Sequence, residues 1–61
     1  MTKEQFNRIF NSLNYRMRNA LNARCTRTAK ARARDMARLA EEYDGTPYKE
    51  TYEKLIEEYG L

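Results

Sequence analysis

Residues 28–48 read TAKARARDMARLAEEYDGTPY, and this stretch decides the fold. Ala, Arg, Lys, Met, Leu and Glu fill it from Ala29 to Glu42, with Asp35 the one weaker helix former. Its apolar residues Ala29, Ala33, Met36, Leu39, Ala40 and Tyr43 recur at steps of three and four, which is one face of a helix. Asp44-Gly45-Thr46-Pro47 then stops that helix and starts another. Gly45 suits the left-handed position after a helix end. Thr46 is expected as the next N-cap and Pro47 as the first helical residue. So short a link makes the two flanking helices antiparallel neighbours.

Downstream, Tyr48, Tyr52, Leu55, Ile56 and Tyr59 keep the helical period until Gly60. Upstream, Thr2 and Gln5 form a capping box. Phe6, Ile9, Phe10, Leu13, Met17, Ala20 and Leu21 follow, all within about 60° of Phe6 on the helical wheel. That stripe fails at Arg24 and resumes in the second helix, rotated by roughly 120°. A break over residues 23–28 is expected, with Thr26 and Thr28 as candidate N-caps. No Gly or Pro enforces it, and an 11-residue repeat (Phe6, Met17, Thr28, Leu39) would support one continuous helix instead.

The sequence therefore predicts an all-α, three-helix domain spanning residues 1–61. A long amphipathic helix 1 covers 3–23, a basic helix 2 covers 28–43, and an acidic helix 3 covers 47–59. The Ala face of helix 2 is expected to let helices 1 and 3 approach each other closely. Tyr43, Tyr48, Tyr52 and Tyr59 are expected to roof the core with their hydroxyls at its rim.

Sixty-one residues bury only about 60% of the surface that the unfolded chain exposes. The large core residues are near the minimum for a lone domain. A homodimer through helix 1, or folding against a partner, stays open on that ground. The chain has no His and a single Cys, Cys25. That excludes an intrachain disulfide and the usual zinc sites, and leaves any thiol without an imidazole base. With no Gly-rich phosphate loop and little volume for a pocket, neither catalysis nor a cofactor or metal is expected. Cys25 is expected as a small packed residue near the helix 1–2 junction. A lone Cys suits a reducing interior. No apolar run approaches the roughly 18 residues of a membrane span, and the N-terminus leads into an amphipathic segment, not a signal sequence. A short, complete reading frame in a cytoplasm, with no membrane partner, is the expectation.

The net charge of +3 hides a split: residues 1–40 carry +8 and residues 41–61 carry −5. Arg27, Lys30, Arg34 and Arg38 line up on helix 2, opposite Ala33, Met36 and Ala40. Arg24 joins them if the helix is continuous, and Arg16 and Arg18 add charge from helix 1. Cations at helical steps suit successive phosphates, and their neutralisation releases counterions. The segment is loosely similar in composition to arginine-rich helices that bind RNA, a pattern too common to name a family. The competing reading is a solvated face with Arg38 paired to Glu41 or Glu42. A second stripe, Asn11, Tyr15, Arg18 and Asn22, lies on the outer face of helix 1. Asn and Arg read base edges and Tyr stacks on bases, while Tyr and Arg are equally residues of protein-interface hot spots. The acidic helix 3 reads as a solvated face with a Glu50–Lys54 pair, or as a contact for a neighbouring copy's basic helix.

The leading expectation is a non-enzymatic module that contacts nucleic acid, DNA or RNA, through the Arg/Lys face of helix 2. The alternative is an accessory protein that binds and modulates or inhibits a larger protein or nucleoprotein machine. Free-standing frames of this size are frequent in phages and mobile elements, where they act in that way.

Overall fold

Local chemistry sets each helix boundary in the computed structural model, which describes residues 1–61. Thr2 caps the first helix: its hydroxyl accepts from Gln5 N at 3.1 Å, and Gln5 Oε1 accepts from Thr2 N at 3.0 Å. Helix α1 then runs Lys3–Asn22, α2 runs Thr26–Asp44 and α3 runs Tyr48–Tyr59. The chain is an all-α three-helix domain, with a long amphipathic first helix, a basic second and an acidic third.

The break between α1 and α2 is real, so the continuous-helix reading fails. Arg24 adopts φ +60. Arg24 N donates to Leu21 O at 2.9 Å, and Cys25 N donates to Ala20 O at 2.7 Å. This paired closure is a Schellman motif, which usually places Gly at the left-handed position. Here an arginine occupies it. Neither Thr26 nor Thr28 caps α2: Cys25 stands at the N-cap and makes no side-chain cap bond. The closure brings the chain back into helical geometry at Thr26, so both threonines already lie in the first turn. Cys25 is exposed. It is not the packed residue the sequence predicts, because the turn holds it off the core.

At the second junction Gly45 adopts φ +78 and its N–H donates to Glu41 O at 2.9 Å. Thr46 does not cap α3. Its backbone N–H and its hydroxyl both donate to Asp44 Oδ1, at 2.9 and 2.6 Å. With the hydroxyl so engaged, Glu41 Oε2 accepts from Tyr48 N at 2.9 Å. Pro47 is the N-cap, not the first helical residue, because its ψ of 133 is extended.

Packing centres on α2. Its Ala29, Ala33 and Ala37 are fully buried. Small side chains let neighbours come close, and both other helices use α2 for this. The expected approach of helices 1 and 3 to each other does not occur: no Cα pair between α1 and α3 lies within 8 Å. The core joins Met17, Ala20, Ala29, Ala33, Met36 and Leu55. Met17 and Met36 are its two large, fully enclosed side chains. Phe6 stacks on Tyr43 at 4.2 Å between ring centroids, tying the start of α1 to the end of α2. Tyr59 Oη donates to Asn14 Oδ1 at 3.2 Å, linking α1 and α3 across the space between them. Gly60 turns the chain so that Leu61 folds back against the core. Ile9 stays 43% exposed although it belongs to the α1 stripe. On α3 the ion pair is Lys49–Glu53, at 3.9 Å, in place of the expected Glu50–Lys54.

Candidate nucleic-acid interface

Three turns of α2 carry the basic row. The helix is held by buried alanines on one side, so residues about 160–180° from Met36 must face outward, and these include Arg27, Arg34 and Arg38. All three are exposed, and Lys30 beside them is half-buried. None of the four has a carboxylate within 4.0 Å. The ion pairs of the molecule are Arg8–Glu4, Arg32–Asp35 and Lys49–Glu53. The expected competitor, Arg38 paired to Glu41 or Glu42, is therefore absent. Glu41 instead turns its carboxylate to the backbone of Tyr48.

Asp35, the only acid on α2 before Glu41, is held by Arg32 at 3.4 Å. Arg32 is half-buried, and its Nε is enclosed without a hydrogen-bond partner. This pair neutralises the acid and leaves the outer row uncompensated.

Two of the row's guanidiniums are braced from α3. Arg34 Cζ lies over the Tyr52 ring and Arg38 Cζ over the Tyr48 ring, each 5.9 Å from the centroid. The two rings stack on each other at 5.6 Å with planes 16° apart. Cation–π contact of this kind is worth about 0.5–1 kcal/mol at an exposed site, enough to bias a side-chain position. Tyr48 and Tyr52 were expected only as a roof over the core. The signal for their second role lies in the sequence. Arg34 and Arg38 are four apart, as are Tyr48 and Tyr52, on opposite sides of an antiparallel turn.

The remaining candidates lie elsewhere. Arg24 is exposed in the α1–α2 turn, and its left-handed backbone takes it out of phase with the row. Arg16 and Arg18 are both exposed on α1. Two residues apart, they project about 200° from each other, so they do not form one patch. Arg18 joins Asn11, Tyr15 and Asn22 in an open recess of about 480 Å³, completed by Asn14 and Asn19. Tyr15 is 68% exposed. The side chains of Asn11, Tyr15, Arg18 and Asn22 make no hydrogen bond within the chain, whereas Asn14 is engaged by Tyr59.

A second concavity, about 350 Å³, opens between α1 and α3 over Met36. Phe10 and Asn14 form one wall, and Thr51, Leu55 and Tyr59 the other. No three His, Cys, Asp or Glu side chains are grouped to hold a metal ion. No helix is long and apolar enough to cross a membrane. No protein-family model matches the chain, and no match was found among curated proteins or solved structures.

Proposed function

We propose that this protein is a non-enzymatic binding module that engages the phosphate backbone of nucleic acid through Arg27, Lys30, Arg34 and Arg38. One observation carries the reading: no carboxylate lies within 4.0 Å of the row's cations, and Asp35 and Glu41 are engaged by Arg32 and by the Tyr48 N–H. A face that merely kept the protein in solution would gain from interleaved acids, which relieve i,i+4 repulsion such as that between Lys30 and Arg34. A polyanion supplies that relief from outside.

Four neutralised phosphates give a log–log salt slope near −3.6 on duplex, so affinity falls about 150-fold between 50 and 200 mM salt. Fluorescence anisotropy with labelled oligonucleotides at those two concentrations tests this. Replacing Arg27, Arg34 or Arg38 by Ala flattens the slope by about 0.9 each. Absence of binding at 50 mM refutes the proposal.

A second reading is favoured by the α1 stripe. An exposed Tyr beside an unpartnered Arg and several unpartnered Asn side chains has the composition of a protein contact. On that reading the protein is an accessory that binds a larger protein or nucleoprotein machine and modulates it. Tyr15→Ala then abolishes capture of the target, while Arg27→Ala and Arg34→Ala leave it intact and salt has little effect.

A further inference from the structure

The basic row differs from a general polyanion patch in what stands beside it. Proteins that hold single strands combine a cationic groove with bare aromatic faces on which bases stack. The α2 row is a ridge, with α1 and α3 packed on the opposite flanks. Its neighbouring aromatics are not bare. Tyr48 and Tyr52 are half-buried, stacked on each other, and each carries a guanidinium over its ring. The one strongly exposed aromatic, Tyr15, belongs to the α1 recess and not to this ridge.

We infer that the α2 ridge takes B-form duplex DNA in preference to single strands or duplex RNA. The inference rests on the phosphate-binding reading above and adds the class of ligand. Eleven residues separate Arg27 from Arg38, about 16.5 Å along the helix axis. The major groove of B-DNA is about 12 Å wide and admits an α-helix. A helix lying in that groove has a phosphate backbone on each side along its length, within reach of long side chains spread over this distance. Ala31 adds no bulk between the cations on this side of α2. The major groove of A-form RNA is too narrow for a helix, which removes the same fit. Tyr48 and Tyr52 act as braces: they hold Arg38 and Arg34 in place and do not present a stacking surface.

The test compares three ligands at one salt concentration, about 50 mM, by anisotropy. They are a mixed-sequence DNA duplex of about 20 base pairs, each of its strands alone, and an RNA duplex of the same sequence. The duplex DNA is expected to bind about tenfold tighter than either alternative, given its higher phosphate density and wider groove. Equal or tighter binding of single strands or of duplex RNA overturns the inference while leaving phosphate binding standing. Failure to bind any of the three overturns the underlying reading as well.

The Tyr48→Leu/Tyr52→Leu double variant supplies the second arm. The ratio of duplex to single-strand affinity is measured on the same preparation, so any loss of folded protein cancels. Braces predict that the ratio falls toward one, because the ordered arginines serve the duplex. A stacking platform predicts that it rises, because the single strand loses most, and that outcome overturns the inference.

Discussion

Replacing Arg24 by Gly is expected to stabilise this protein, although it deletes a charged side chain and adds backbone freedom. Arg24 stands at φ +60 in the turn that closes α1. A side chain bearing Cβ in that region costs about 1–2 kcal/mol. Glycine removes the cost but gives back about 0.5–1 kcal/mol through the greater entropy of its unfolded state. The Arg24 side chain is exposed and has no ion pair to lose. The net expectation is a gain of about 0.5–1 kcal/mol. In a domain of this size that raises Tm by about 2–8 °C. Thermal unfolding followed by circular dichroism at 222 nm measures it, with Arg24→Ala as the control that keeps Cβ and should change little. The sign is decisive. If α1 and α2 formed one continuous helix, Gly at residue 24 would sit mid-helix and cost about 1 kcal/mol relative to Ala. A fall in Tm for Arg24→Gly relative to Arg24→Ala would refute the left-handed turn and with it the separation of the two helices.

Two further outcomes follow from packing and from the α2–α3 turn. Met17 is fully enclosed and lines none of the surface recesses, so Met17→Ala should cost about 2–5 kcal/mol. Against a total of about 3–9 kcal/mol for a chain this long, urea titration should show a large loss of folded protein, whereas Met17→Leu should lose under about 1.5 kcal/mol. The Thr46 hydroxyl, with help from the Thr46 N–H, holds the Asp44 carboxyl below its ordinary value. A depressed folded-state pKa contributes stability above the unfolded value, near 3.8, and loses it as pH falls through the folded value. Asp44→Asn should therefore melt below the wild type at pH 6. The gap should close below about pH 4, and a gap unchanged down to pH 2 would contradict this account.

The helices were legible because their signals were redundant. α1 carries a capping box, which stands in the structure, and a seven-residue stripe, of which Phe10, Leu13, Met17, Ala20 and Leu21 join the core while Ile9 stays exposed. The boundaries were less legible, because a cap is a competition among side chains. Thr46 satisfies every local rule for an N-cap, yet Asp44 two residues earlier captures its hydroxyl, and Glu41, seven residues before Tyr48, supplies the missing acceptor. Nothing in a local window ranks those partners. The α1–α2 turn was hidden for a different reason. The Schellman closure is made by backbone groups alone, and Arg24 tolerates the left-handed region without announcing it. Of the candidate site, the α2 row could be read from spacing, but not the fate of the acids around it. Whether Glu41 or Glu42 would neutralise Arg38 depended on the turn geometry, which sends Glu41 to a backbone N–H.

The position of α2 between its neighbours bears on which surfaces can act together. Asn14 borders both the Tyr15 recess and the concavity over Met36. The α1 stripe therefore adjoins the side of the molecule onto which Met36 faces. Arg27, Arg34 and Arg38 leave α2 about 160–180° away from Met36. The slab is only 14 Å through its thinnest dimension, yet its two candidate surfaces face away from each other. A duplex lying along the ridge leaves Tyr15 uncovered, and a protein seated on the α1 stripe leaves the ridge open. The two readings of the sequence, nucleic-acid module and protein-binding accessory, are for that reason compatible on one chain. Their separation also makes the mutants informative. Tyr15 and Arg34 sit on different helices with no shared partner, so their effects on binding should be independent, as expected for distant sites. Strong coupling between Tyr15→Ala and Arg34→Ala in one binding assay would mean that a single ligand wraps around the edge of the slab and touches both.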